Sequence, residues 1–377
     1  MDTMDATVDD VCSARVARFR ALMDERGYDG VILRNNPDLR WLLGTERTFD
    51  FEIAHTAFIT QNGLWLHTDS RYYNTFITKL GPNTSWVIDM DDINPADWAA
   101  QHAYQTRSHI VALEDTCDIA FLDSFVSFAH AHSISVDIPR MHGDIADLRM
   151  VKDQAEVDAM KHAQSITDAG FTHMLNFMKV GMSELELRVE LDNYMLSHGA
   201  DALAFDTITI SGPNGANPHG QPSERKLQQG DMVVMDFGAA WHDYHTDMTR
   251  TVCMGAPSEE QQLVYDTVRR AQKTVEDSIM PGDLGSDMHN RALAIIAEQG
   301  YGDYFKHGLG HGVGLEIHER PYLRPQYTKP LPENSVVTVE PGIYLPGKFG
   351  VRIEDFGLVT AHGFELITGS THELMCL

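Results

Sequence analysis

The chain has 377 residues, 43% apolar and 22% charged, a globular composition that excludes collagenous, mucin-like and disordered classes. At about 100 to 200 residues per domain this length predicts two domains, each able to bury a core. Twenty-nine basic against 55 acidic residues give a formal charge of −26, which repels nucleic-acid phosphates and anionic lipid and so excludes nucleic acid as an expected partner.

The N-terminus, Met1-Asp2-Thr3-Met4-Asp5 with further acids up to Asp10, lacks the basic head and apolar stretch of a signal peptide. No apolar run approaches the roughly 18 residues of a membrane span, and no membrane partner is expected. Cys12, Cys117, Cys253 and Cys376 are far apart and form no C-x-x-C. Neither a disulfide framework nor a thiolate metal site follows, and the expected compartment is the reducing cytoplasm.

Apolar residues at Val16, Phe19, Leu22 and Met23 predict an amphipathic helix over Ser13 to Arg26, stopped by Gly27. A short strand, Gly30 to Leu33, follows. Thr56 to Thr60 and Leu64 to His67 flank Gln61-Asn62-Gly63, and Asn-Gly between β-type runs signals a hairpin. This first region reads as a small α/β domain without a metal-ligand cluster, its acids expected on the solvated surface.

A boundary falls near Ile145 to Val151, because Asp153-x-x-Glu156 is a capping box opening a helical pattern through Val157, Met160, Ala163 and Ile166. Ser183-x-x-Glu186 and Ser258-x-x-Gln261 open two more helices, the second expected to close at Pro281-Gly282. Met232 to Gly238, Thr249 to Met254, Ser335 to Val339 and Val351 to Thr360 read as strands. Helices and antiparallel hairpins grouped in this way predict an α+β domain rather than a doubly wound sheet.

Asp236 ends the apolar run Met232-Val233-Val234-Met235, where a carboxylate is costly to bury without a cationic partner. Asp247 lies eleven residues on, with a turn suited to Trp241-His242-Asp243. A hairpin folded about the midpoint of 236 and 247 sets these acids face to face, about 4.5 to 5.5 Å apart at Cβ. Glu340 and Glu354 are likewise equidistant from Gly347 in Pro346-Gly347-Lys348. Four carboxylates in one low-dielectric pocket are pushed to protonate unless a cation joins them, and divalent metal resolves the conflict. His311, in His307-Gly308-Leu309-Gly310-His311-Gly312-Val313-Gly314, can add a nitrogen, with glycines letting backbone approach closely. Four oxygen donors and one imidazole serve two metals only if some carboxylates bridge. His242 and His245, near the hairpin turn, are expected in solvent.

These motifs, together with Ser211-Gly212-Pro213-Asn214, Pro218-His219-Gly220, Asp236-Phe237-Gly238, Asp247-Met248-Thr249-Arg250-Thr251, Ile317-His318-Glu319, Val339-Glu340-Pro341-Gly342 and Val351-Arg352-Ile353-Glu354-Asp355, resemble the pita-bread metallopeptidases, the family of methionine aminopeptidase, prolidase and aminopeptidase P. The resemblance covers 154–377. Residues 1–147, through Asn35-Asn36-Pro37-Asp38 and Thr68-Asp69-Ser70-Arg71-Tyr72-Tyr73, resemble the creatinase-type domain that precedes it in prolidases and aminopeptidases P. The implied fold is an α+β pita-bread catalytic domain behind a smaller creatinase-type α/β N-terminal domain.

The resemblance further implies that Asp236 holds one metal, that His311 and Glu340 hold the other, and that Asp247 and Glu354 bridge both. It implies a metal-bridging hydroxide as nucleophile and Glu340 as the proton carrier. His219 and His318 would contact the substrate rather than metal, and His307 would lie on the prolyl side. Arg352 would orient Glu354, bind the substrate carboxylate, or form a supporting salt bridge. The cofactor implied is two divalent ions per subunit, manganese foremost, with cobalt, iron or zinc as alternatives. The activity implied is exopeptidase cleavage of the Xaa-Pro bond in dipeptides or short proline-containing peptides, by a homodimer. The alternatives are a hydrolase or lyase of a small compatible solute or amidine on the same scaffold, and a non-catalytic peptide-binding module. Creatinase and relatives that act in chromatin chaperones have lost ligands that this chain retains.

Overall fold

The computed structural model describes residues 8–377; the acidic stretch Met1 to Asp5 lies outside them. The chain divides into two compact units between Arg149 and Met150. The first contains α1 (Val8–Arg26), β1 (Gly30–Leu33), α2 (Asn36–Leu43), β2 (Thr56–Thr60), β3 (Leu64–His67), α3 (Tyr73–Leu80), β4 (Val87–Asp89), α4 (Pro95–Thr106), β5 (Val111–Leu113), α5 (Ile119–Ala131) and α6 (Asp144–Arg149). Its strands form one mixed sheet in the order β4-β3-β2-β1-β5. β2 and β3 pair antiparallel as predicted, but the loop between them is Gln61-Asn62, with the Thr60 N–H on the Gly63 carbonyl at 3.0 Å and neither Asn62 nor Gly63 at positive φ. β5 joins β1 in parallel. Helix α1 begins at Val8, five residues ahead of the expected Ser13.

The acids of this unit are not all solvated. Asp38 and Arg149 form a buried pair at 2.7 Å, Arg26 reaches the buried Asp144 at 2.7 Å, and the buried Glu114 accepts from the Asn35 N–H at 2.7 Å. A guanidinium or backbone N–H supplies in each case the partner that burial demands.

The second unit contains α7 (Gln154–Phe177), α8 (Glu184–Ser197), β6 (Ala202–Leu203), β7 (Ile208–Ser211), β8 (Met232–Phe237), β9 (Ala239–Trp241), β10 (Tyr244–His245), β11 (Met248–Cys253), α9 (Glu259–Glu276), α10 (Gly285–Glu298), β12 (Gly310–Gly312), β13 (Glu319–Leu323), β14 (Val336–Val339), β15 (Gly342–Leu345), β16 (Phe349–Arg352), β17 (Asp355–Thr360) and β18 (Gly363–Leu366). All three capping boxes form, with reciprocal side-chain and backbone bonds at Asp153 and Glu156, Ser183 and Glu186, and Ser258 and Gln261. Helix α9 nevertheless ends at Glu276, short of Pro281-Gly282. Ser278 turns its hydroxyl back onto the Val275 carbonyl at 2.9 Å, and the chain leaves the helix to bury Ile279.

Each half of this unit sets a helix pair on strands. In the first, Ile166 and Phe171 of α7 and Leu187 and Leu191 of α8 share a core with Val233, Met235, Phe237 and Val252 of β8 and β11. In the second, Val264 and Val268 of α9 and Ile296 of α10 pack with Val337, Val339 and Val351 of β14 and β16.

The hairpin of β8 to β11 turns at His242 and Asp243, both at positive φ (50° and 66°), as a two-residue I′ turn requires. The turn centre thus lies one residue beyond the expected midpoint, and Asp236 faces Thr249 rather than Asp247. The slip is even, so Asp247 stays on the Asp236 face as a diagonal neighbour. In the second half, Val339 pairs with Asp355 and Gly342 with Arg352. The two ladders share one register, which leaves Glu340 and Glu354 at facing positions in the gap between them. The run expected over Val351 to Thr360 is therefore two strands, interrupted where the Glu354 N–H bonds the Thr249 carbonyl of β11 at 3.0 Å.

Among the described residues, no helix is long and apolar enough to cross a membrane. Burial pushes the Glu114 carboxyl up from 4.5 to about 7. Between those pH values the native chain holds a proton that the unfolded chain has lost, so this group's contribution to stability falls as pH rises. Glu114→Gln cannot ionise, and its Tm relative to wild type is expected to rise from pH 5 to pH 8. A difference constant with pH excludes this role for Glu114.

Candidate metal centre and catalytic pocket

All nine residues singled out from the sequence line one cavity of about 600 Å³ in the second unit: Asp236, Asp247, His311, Glu340 and Glu354 with His219, His307, His318 and Arg352. Asp236 is near the end of β8, and Asp247 immediately precedes β11. His311 is the middle residue of β12, and the two glutamates occupy the gap between paired ladders. The site therefore forms where β11 of the first half meets the β16–β17 break of the second. Thr249 Oγ1 donates to Glu354 Oε2 at 2.7 Å, and Thr251 Oγ1 donates to the Arg352 carbonyl at 2.8 Å.

The close backbone approach expected of the glycine-rich segment is visible at two positions. A Cβ on Gly310 would lie 2.0 Å from the Thr338 carbonyl oxygen, and one on Gly312 would lie 2.3 Å from that of Arg320. Side chains there would push β12, and with it His311, out of the sheet.

The electrostatics call for a cation. Burial, followed by the charges of Glu354, Asp236 and Glu340, drives the Asp247 carboxyl well above the carboxylate range. Burial and the charges of Glu340 and Asp236 do the same to Glu354. Burial raises Glu340 to about 8. Arg352 is the cation expected beside Asp236, with Nη2 at 2.6 Å from Asp236 Oδ2. One guanidinium does not balance four acids, and Asp236 Oδ1 and Glu354 Oε1 remain buried without a hydrogen-bond partner. Ligating atoms of Asp247, His311 and Glu354 lie within 4.8 Å of one another. His311 Nε2 is 3.5 Å from Asp247 Oδ2 and 3.4 Å from Glu340 Oε1. Its Nδ1 faces the Gly312 carbonyl at 3.1 Å, which fixes the proton there and leaves Nε2 as a lone-pair donor. Buried oxygen donors with unsatisfied lone pairs and one correctly protonated imidazole fit divalent metal.

The other three histidines surround this cluster without joining it. His219 and His318 are exposed at the cavity wall, and the His318 ring meets the His311 ring edge-on at 4.4 Å between centroids. His307 donates from Nδ1 to the Gly308 carbonyl at 2.7 Å, and its Nε2 accepts from the Tyr344 hydroxyl at 3.0 Å. Burial, with the nearby Arg352 charge, lowers His307 to about 3, so it is a neutral acceptor. Arg352 also donates to Tyr344 Oη at 2.8 Å and to Thr249 Oγ1 at 2.9 Å. Of its three expected roles, the salt bridge is the one observed, and it runs to Asp236 rather than to Glu354.

The sequence motifs do not single out Tyr344, Thr249 or Thr338, whose Oγ1 accepts the His311 N–H at 3.1 Å. Thr249 stands in the quoted Asp-Met-Thr-Arg stretch, two residues beyond Asp247, which was its only signal. Tyr344 sits in an apolar strand and carried none. His245 is not in solvent: it is half-buried, with Nδ1 3.0 Å from the Gly314 carbonyl. A second trio with close ligating atoms, Glu276, Asp355 and His372, is already occupied, since Asp355 takes Arg250 at 2.7 Å and His372 at 2.6 Å.

Residues 158–361 match the profile of metallopeptidase family M24, and residues 15–151 match the creatinase/prolidase N-terminal domain. The chain is 32% identical over 368 residues to the Xaa-Pro dipeptidase of Pyrococcus horikoshii, covering 97% of this chain and 100% of that protein. It is 34% identical to an uncharacterised peptidase of Bacillus subtilis, over 96% and 100% of the two chains. Among solved structures, the Xaa-Pro dipeptidase from Bacillus anthracis superposes with a TM-score of 0.89 at 34% identity, over 97% of this chain and 100% of that one. The X-Pro aminopeptidase from Thermotoga maritima gives 0.84 at 31% identity, over 96% and 100%. With these likenesses running through both units, the chain belongs to metallopeptidase family M24: it is a peptidase of the α+β pita-bread fold behind a creatinase/prolidase N-terminal domain, in a family that works with divalent metal ions.

Proposed function

We propose that this peptidase removes the N-terminal residue from Xaa-Pro dipeptides or short Xaa-Pro peptides, with two divalent ions held by Asp236, Asp247, His311, Glu340 and Glu354. The observation that carries the reading is the buried excess of carboxylate, with orphaned oxygens on Asp236 and Glu354, in a cavity that also holds three histidines outside the ligand cluster. Relatives named Xaa-Pro dipeptidase and X-Pro aminopeptidase support the proline specificity. Manganese is the metal we propose. Bound there, the ions supply a water nucleophile at neutral pH and polarise the scissile carbonyl.

The side chains do the rest. Glu340 takes the proton given up by the attacking water and returns it to the leaving prolyl nitrogen. His318 donates to the oxyanion, and His219 holds the scissile amide in line. His307, kept neutral and anchored by Tyr344, borders the prolyl side. Arg352 fixes one oxygen of Asp236, leaving the other for metal. A panel of Xaa-Pro dipeptides, Xaa-Pro-Yaa tripeptides and small amides or amidines, assayed on manganese-loaded protein, tests the substrate class. Hydrolysis confined to the non-peptide substrates, or no turnover at all, overturns it.

Asp247→Ala is expected to lose both metals or most of their occupancy, together with activity, because its carboxylate would serve both ions. Asp236→Ala should weaken mainly one. Elemental analysis of the two variants checks this, and full activity in metal-free wild type excludes the scheme.

Acid sensitivity follows from the carboxylates. In the metal-free site Glu340 binds its proton up to about pH 8, whereas burial keeps His311 neutral down to about 3. Protons therefore compete with metal through the acids, and affinity weakens as pH falls below about 8. Activity should decline on mild acidification and return with excess divalent ion; a loss that added metal does not reverse points to unfolding instead.

His318→Ala should retain two-metal stoichiometry while turnover drops on the order of a hundredfold to a thousandfold, equivalent to about 2.7 to 4 kcal/mol for one oxyanion donor. Metal loss in proportion to activity, measured on the same sample, would reassign His318 to the metal-supporting shell.

A further inference from the structure

His219 is exposed and belongs to no strand or helix, so its place at the cavity depends on the loop that carries it. Glu184 fastens that loop from behind. Glu184 is the first residue of α8 and is wholly buried, and it does not line the cavity. An ionised carboxylate in such a position persists only with several donors, and all of those it finds come from the two ends of one segment. Its Oε1 accepts from the Ser211 N–H at 2.7 Å and the Ser211 hydroxyl at 2.8 Å. Its Oε2 accepts from the Ser223 N–H at 3.0 Å and the Ser223 hydroxyl at 2.7 Å. Asn214 Nδ2 spans both oxygens at 3.2 and 3.1 Å.

The chain between Asn214 and Ser223 runs through Pro218 and His219; Glu184 joins its two ends, which also meet where Asn214 Nδ2 donates to Ser223 Oγ at 3.3 Å, and Arg352 Nη1 donates to the Pro218 carbonyl at 3.3 Å. Within it, Asn217 Oδ1 accepts the His219 N–H at 3.3 Å, and the Gly220 N–H bonds the Asn217 carbonyl at 3.0 Å. The helix N-terminus stabilises the negative charge of Glu184, and Arg225, bound bidentately by Asp231 at 2.6 and 2.9 Å, donates to the Ser211 hydroxyl from the far side. The Ser211-Gly212-Pro213-Asn214 motif thereby acquires a physical reason: its serine and asparagine are donors to a carboxylate 27 and 30 residues earlier in the chain.

We propose that Glu184 is a positioning residue for catalysis, setting His219 against the substrate by clamping both ends of the 211–223 segment. The inference rests on the reading of His219 as a substrate contact. It predicts that Glu184 acts on the reaction only through His219, whereas a purely structural role would act whether or not the imidazole is present.

The test is a double-mutant cycle on the full-length, manganese-loaded enzyme with an Xaa-Pro dipeptide, measuring kcat, KM and metal content for wild type, Glu184→Gln, His219→Ala and the double variant. Glutamine keeps the size of the side chain but turns an acceptor oxygen into a donor facing N–H and O–H groups. The expected result is a tenfold to hundredfold loss of kcat/KM in Glu184→Gln at unchanged metal stoichiometry, and less than about twofold further loss when the change is made in His219→Ala. Equal losses in both backgrounds, or no loss in the first, overturn the role of Glu184. A kinetically silent His219→Ala overturns the reading of His219 itself, and the Glu184 proposal with it. If Glu184→Gln does not fold, Ser223→Ala, which removes one donor from the clamp, takes its place with the same expected non-additivity and the same overturning results.

Discussion

Four carboxylates share one buried cavity with a single guanidinium, and the second unit is arranged around that imbalance. Asp236, Asp247, Glu340 and Glu354 cannot all be ionised there without more positive charge, as the upward drive on three of them indicates. Their mutual repulsion, where they are ionised, works against the hairpins. It is contained because each acid is anchored on a ladder whose other face lies in an apolar core, and because the two hairpins brace each other through Thr249, Thr251 and Arg352. Packing thus holds together four acids that protons or added cations must neutralise.

The same logic extends behind the ligands. Arg250 follows Asp247 by three residues and is fully buried. Its guanidinium donates to the Glu354 carbonyl at 2.6 Å, to Asp355 at 2.7 Å, and to the carbonyls of Ser370 and Thr371 at 2.9 and 2.8 Å. Burial by itself would raise the Asp355 carboxyl, but Arg250 and His372 hold it below the ordinary range. One arginine thereby ties the backbone of Glu354 to the C-terminal segment. On the cavity side of this layer four acids share the one guanidinium of Arg352, whereas the acid on the far side is paired within the protein. That contrast separates a metal site from a structural network when both contain clustered carboxylates and a histidine.

The histidines divide by the same criterion. His311 presents a lone pair to two carboxylates because its other nitrogen is committed to a backbone carbonyl. His307 is committed at both nitrogens, to Gly308 and Tyr344. His219 and His318 keep exposed rings on the cavity wall. Residue type says nothing of this division; the partner of the second nitrogen decides it.

Much of this was legible in the sequence. Local chemistry set the three capping boxes and the β2–β3 hairpin, since each depends on residues within one turn or one loop of each other. Spacing about Gly347 was enough to put Glu340 opposite Glu354, and resemblance gathered nine site residues that do line one cavity. Spacing alone misjudged the other hairpin, because the turn centre was set by which residues accept positive φ, and His242 and Asp243 do so. The partner of Arg352, the commitment of Tyr344 to His307, the retention of His245 against Gly314 and the clamp at Glu184 all join residues far apart in sequence. Their contacts depend on how two packed halves meet, and no local pattern encodes that meeting. Residue type and order were enough to say which side chains could bind metal and which segments carry them. Which acids go unpaired had to await the folded chain, because pairing is a property of distance and burial rather than of residue type.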